Sequence, residues 1–133
     1  MLELSIIIPF LMVPILGGVD FARFAFTRIS LVNAVREGAH YGAAHSYTPV
    51  TRELWEHHIR ESTQYEMGFE DESTTPVFDR AKITILPVEI MDHGIGHTAL
   101  RVRAEYPFET LVAWPALPSE VTISAEAEMR FMH

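Results

Sequence analysis

Residues 4–19 read LSIIIPFLMVPILGGV and contain no charged side chain. Apolar residues continue to Phe26, interrupted by Asp20 and Arg23. The pattern then changes. Phe24, Arg28, Leu31, Val32, Val35 and Ala39 recur at intervals of three and four, the spacing of one helix face. No proline occurs between Pro14 and Pro49. The chain is therefore expected to begin with one long helix over residues 4–44. Its first half is apolar all round, and its outer half is wetted on one face.

Residues 45–49 break this pattern. Thr48 followed by Pro49 suits an N-cap and a first helical position, which predicts a second helix over 49–66. Its apolar face is expected at Leu54, Trp55, Ile59 and Ser62. Residues 67–76 (MGFEDESTTP) are polar and acidic and read as an exposed loop. Strict alternation follows. Residues 82–90 begin a strand in which Pro87 marks an edge or a bulge. Across 98–108, Leu100, Val102, Ala104, Tyr106 and Phe108 face one way, with Arg101, Arg103 and Glu105 opposite. Across 120–131, Val121, Ile123, Ala125, Ala127, Met129 and Phe131 form one face. Residues 91–97, with Gly94 and Gly96, suit a hairpin loop. The fold class is α+β. The long N-terminal helix packs on a small antiparallel sheet of about three strands, with one extra helix. If the last two strands are neighbours, Arg101 and Arg103 can pair with Glu126 and Glu128.

Charge divides the chain in the same place. The first 44 residues carry three arginines against three acids, so the net charge of −8 falls entirely on residues 45–133. An acidic chain without a basic stripe argues against nucleic acid as a partner. The absence of cysteine excludes disulfides, thiol nucleophiles and cysteine metal sites. A membrane span needs about 20 mostly apolar residues to cross roughly 30 Å of hydrocarbon. Counting through Phe24 or Phe26 meets this, with Asp20 and Arg23 one turn apart and able to pair near the interface. A cleaved secretory signal is disfavoured, because no basic region precedes the apolar run. A core helix is disfavoured because a remainder this small can hardly bury a helix apolar on every side. The division is then a transmembrane anchor over 1–26 and a solvated α+β domain over 27–133 in a chain of 133 residues.

Ala34, Gly38 and Gly42 repeat every fourth residue and form a narrow stripe of small residues, where another element can approach closely. That element is either the domain's own sheet or a neighbouring subunit. No nucleophile elbow, phosphate-binding glycine loop or dinucleotide fingerprint is present, so no catalytic role and no cofactor are expected. Among the seven histidines, His93 and His97 lack a third ligand. His57 and His58 are adjacent and point about 100° apart on a helix, which predicts that at most one of them serves any single site. No metal site is expected, and Glu70, Asp71 and Glu72 read as a solvated charge run.

Three blocks in the first third resemble the TadE-like pseudopilins of bacterial tight-adherence pili. Glu3 to Pro9 (ELSIIIP) is similar to the glutamate, apolar run and proline that open that family. Asp20-Phe21-Ala22-Arg23 resembles the group that closes its membrane span. The segment from Asn33 to Tyr41 (NAVREGAHY) is the strongest match, with Val35 and His40 where alanine and arginine are common. The resemblance implies a pseudopilin or minor pilin of the bacterial inner membrane, single-pass, with its C-terminal domain extracytoplasmic. It implies pilin subunits, the pilus assembly machinery and a prepilin peptidase as partners, in the service of surface attachment. It implies that Glu3 pairs with a neighbour's N-terminal amine, as an ionised carboxylate in hydrocarbon must be paired or lie near the interface. The family's processing rule puts the glutamate fifth in the mature chain. The expectation is therefore an upstream segment that supplies lysine or arginine and then a glycine, three residues before Met1. A basic leader would also offset Arg23, Arg28 and Arg36, which follow the span and by themselves favour the opposite orientation. The alternative from another class is a membrane-tethered envelope binding module unrelated to a filament.

Overall fold

A computed structural model describes residues 2–67, 78–92, 98–112 and 118–131, with the side chains of residues 2–6, 9 and 80 left aside. The apolar run and the amphipathic stretch form one helix, α1, Leu2–Ala44. It passes Pro9 and Pro14 without a break. It ends where the indole N–H of Trp55 donates to the carbonyls of Gly42 (3.2 Å) and His45 (3.0 Å), two of the acceptors a helix end leaves open.

The second helix, α2, spans Arg52–Met67, three residues later than the proline suggested. The predicted cap is nevertheless used. The Thr48 amide donates to Thr51 Oγ1 (2.9 Å) and the Thr51 amide donates to Thr48 Oγ1 (3.3 Å), a reciprocal box around the turn that carries Pro49. The buried face is Trp55, Ile59, Thr63 and Met67. Leu54, expected on that face, is exposed, and Ser62 is half-buried. The i, i+4 row from Trp55 sets the face, and Leu54 lies a step outside it. α2 runs antiparallel to α1, since Gly42 lies beside Ile59 and Gly38 beside Thr63.

The sheet has four short or long strands: β1, Thr84–Ile85; β2, Glu89–Asp92; β3, Thr98–Glu109; and β4, Glu120–Arg130. β3 is central. β4 pairs antiparallel along one of its edges from Ala99↔Arg130 to Glu109↔Glu120. β1 and β2 share the other edge, in two registers: Ile85 faces Ala104, whereas Glu89 faces Arg101. Four steps on the edge thus match three on β3, so one extra residue is accommodated between them, as in a β-bulge. The single strand expected over 82–90 is therefore two. Pro87 lies at the interruption, where it has no N–H to give the ladder. The neighbouring Leu86 amide still donates to the Arg103 carbonyl, at 3.0 Å. The expected hairpin loop at 91–97 and the acidic loop at 67–76 fall mostly outside the described residues.

Alternation placed the sheet faces correctly. Leu100, Val102, Ala104, Tyr106 and Phe108 are buried, together with Ile123 and Ala125 of β4. They meet Leu31, Ala34, Val35 and Ala39 of the outer half of α1 in one core cluster. Burying each large aliphatic side chain there stabilises the fold by about 1.5–3 kcal/mol. Arg28, expected on the same helix face, is exposed. On the wet face of the sheet, Arg101 pairs with Glu128 (3.4 Å) and Arg103 with Glu126 (3.1 Å), in the register predicted.

Candidate functional site

The two ends of α1 differ in what covers them. From Leu31 to Ala43, the residues facing the domain are buried. Toward the N-terminus, Phe10 is 83% exposed and Phe21 72%, and Ile7, Ile8, Leu11, Val13, Ile15 and Val19 are all exposed as well. Over Phe10–Ala44, α1 is the one helix among the described residues long and apolar enough to cross a membrane, and only 11% of its most apolar window is buried. Its stem is therefore not part of the domain core.

A polar collar stands where the stem enters the domain. Asp20 is only 6% exposed. Its Oδ1 accepts from the Leu111 amide at 2.9 Å and from Arg23 Nη1 at 3.2 Å. Arg23 also donates to the Glu109 carbonyl at 3.4 Å, and its guanidinium lies 5.4 Å from the centre of the Phe108 ring. Phe24 meets the same ring edge-on, with centroids 5.5 Å apart. The Asp20–Arg23 pair expected from the sequence is present. The role that sequence reasoning missed is the strap from Asp20 to the connection between β3 and β4, across 91 residues of chain. The available signal was the acid itself, since a carboxylate inside an apolar run must find donors. Beside the collar, an apolar groove of about 480 Å³ opens between Val13, Gly17, Phe21 and Phe24 of the stem and Phe108 and Val121 of the sheet.

The expected assembly residues fall into two groups. Glu3 and Pro9 lie on the stem portion of α1, and their side chains are outside the described set. Ala34, Gly38 and Gly42 are buried. The element that approaches the two glycines is chiefly α2, which was neither of the two expected. A Cβ on Gly38 would collide with Thr63 Oγ1 and lie 3.3 Å from the Ile59 carbonyl oxygen. A Cβ on Gly42 would collide with Leu100 Cδ2 of the sheet and lie 2.7 Å from Ile59 Cδ1. Periodicity showed that something comes close there, but not which element.

Although adjacent on α2, His57 and His58 bring potential ligand atoms, together with Glu61, within 4.8 Å of one another. Glu61 lies between them around the helix, about 40° from one and 60° from the other. His93 and His97 lie outside the described residues, as do Glu70, Asp71 and Glu72.

A family model described as TadE-like protein matches residues 1–40 of this chain. The resemblance carried by the three N-terminal blocks is thus borne out over the stem and most of the domain half of α1. No curated protein and no solved structure matches the chain.

Proposed function

From the TadE-like match over residues 1–40, we propose that this chain is a membrane-anchored pseudopilin or minor pilin acting in assembly of a tight-adherence, type IV-like pilus. The observation that carries the reading is a coincidence on one helix. The family match covers the same stretch whose apolar side chains the domain leaves uncovered. A helix with Phe10, Ile15 and Phe21 exposed needs an apolar surrounding, which lipid or the stems of other subunits would supply. In this reading the anchor is residues 1–26, and residues 27–133 form the pilin-like domain outside the inner membrane. Glu3 pairs with the free amine of a neighbouring subunit after a prepilin peptidase has removed an upstream leader. Ala34, Gly38 and Gly42 serve the fold of the single subunit, because α2 and Leu100 already fill the space above the two glycines. Subunit contacts then fall to the stem. The role is structural and involves no reaction.

Reporter fusions at the C-terminus test the topology. The expected result is activity of an extracytoplasmic reporter, recovery of the chain with inner membranes, and loss of pili when the gene is deleted. A cytoplasmic C-terminus would overturn the proposed arrangement. Normal piliation in the deletion strain would favour the envelope module without a filament.

A further inference from the structure

On the face of α2 away from the core, three side chains with metal-ligating atoms converge. His57 and Glu61 are exposed and His58 is half-buried, with their potential ligand atoms all within 4.8 Å. The spacing explains the convergence. Glu61 follows His57 by four residues and His58 by three, so its carboxylate stands over the turn that carries both rings. Around a tetrahedral zinc ion, ligand atoms about 2.0–2.2 Å from the metal lie roughly 3.3 Å apart. Small side-chain rotations close the remaining gap, and nothing packed over the two exposed residues opposes them.

A second observation distinguishes this cluster from a solvated patch of charge. The Tyr41 hydroxyl lies 3.2 Å from His58 Nδ1, and the two rings meet edge-on at 6.0 Å. Tyr41 is itself stacked on His45, with centroids 4.2 Å apart, which fixes its ring on the C-terminal end of α1. His58 is therefore oriented through Nδ1 by a residue of another element. Where a metal sits on Nε2, Nδ1 carries the proton and the tyrosine oxygen accepts it, the outer-sphere arrangement that metal-binding histidines commonly use. An open hollow of about 340 Å³ lined by Tyr41, His58, Glu61, Ser62 and Tyr65 adjoins two of the three ligands.

We infer that His57, His58 and Glu61 form a site for a divalent transition-metal ion of the zinc class, with Tyr41 as the positioning residue for His58. Two imidazoles and one carboxylate suit zinc, nickel or copper and do not suit calcium or magnesium, which prefer all-oxygen shells. Three protein ligands leave a fourth position for water. The inference is independent of the pilus reading, since every residue it uses lies between Tyr41 and Tyr65.

The test is zinc titration of the full chain in detergent micelles, free of any histidine tag, followed by calorimetry. The expected result is one zinc ion bound per chain at this cluster, with calcium failing to compete. His58→Gln and Glu61→Gln should each weaken zinc binding at least tenfold, and Tyr41→Phe about tenfold through loss of orientation. The two exposed ligands carry no core packing, so His57→Gln and Glu61→Gln should leave the thermal midpoint of the metal-free chain in place. Cobalt substitution supplies a readout that packing does not move: an absorption band present in the parent and absent from His57→Gln/His58→Gln. No zinc binding in the parent chain would overturn the site. So would unchanged affinity in the double variant, or loss of binding in His93→Gln/His97→Gln instead.

Discussion

The stem and the domain half of α1 share one backbone and differ in their side chains. In the domain half, small residues alternate with medium ones: Ala34, Gly38 and Gly42 lie under α2 and the sheet, while Leu31 and Val35 are fully buried. In the stem, Phe10, Ile15 and Phe21 are large and exposed. A helix covered by its own chain can have glycine where a neighbour comes within contact distance, since close approach replaces side-chain bulk. A helix with no cover from its own chain has large apolar groups on all sides. The difference separates what folds the chain from what is left for its surroundings.

Equivalent truncations in the two halves should sharpen this contrast. Leu31→Ala removes a side chain that is 0% exposed, and denaturant unfolding of the detergent-solubilised chain should show a loss of about 2–5 kcal/mol. Gly38→Leu should cost about 1–3 kcal/mol by the same measurement, because the Ile59 carbonyl behind Thr63 belongs to the backbone of α2 and yields little. Asp20→Ala leaves the Leu111 amide without its acceptor and should cost about 1–3 kcal/mol, with faster amide exchange at Leu111. Ile15→Ala, at a residue 60% exposed, should change domain stability by no more than about 0.5 kcal/mol. A loss at Ile15 as large as that at Leu31 would break the comparison, since the stem would then have to pack on its own domain.

The parts of the fold that were legible in the sequence were those with a clean period. Residues 100–108 and 121–131 alternate without a fault, and β3 and β4 follow them, including the pairing of Arg103 with Glu126. The length of α1 could be read from an apolar run that passes into three- and four-residue spacing with no proline. Other features depended on partners distant in sequence. Asp20 could be matched to Arg23 locally, but not to Leu111, since pairing across a long stretch of chain leaves no local pattern. The small stripe announced a close approach without naming α2. The edge strand divided at Pro87 because the choice between a bulge and a plain edge depends on the register against β3. The grouping of Glu61 with His57 and His58 does not follow from the two histidines as a pair, since it depends on the residue one turn on that lies between them. Of the candidate assembly residues, the stripe could be located in the fold, while the side chains of Glu3 and Pro9 lie outside the described set.

The strap between Asp20 and Leu111 has a mechanical consequence. An α-helix of 43 residues is about 64 Å long, and its stem projects from the domain as a lever. Were it fastened only at its far end, through Trp55 and the packing of Leu31 to Ala43, any sideways load on the stem would pivot there. The collar adds a second fastening 8 to 11 residues nearer the stem than Leu31, where Asp20 and Arg23 grip the backbone at Glu109 and Leu111. Two fastenings resist bending as one cannot. A pull along the stem would then load the collar and the helix–sheet interface together, in shear.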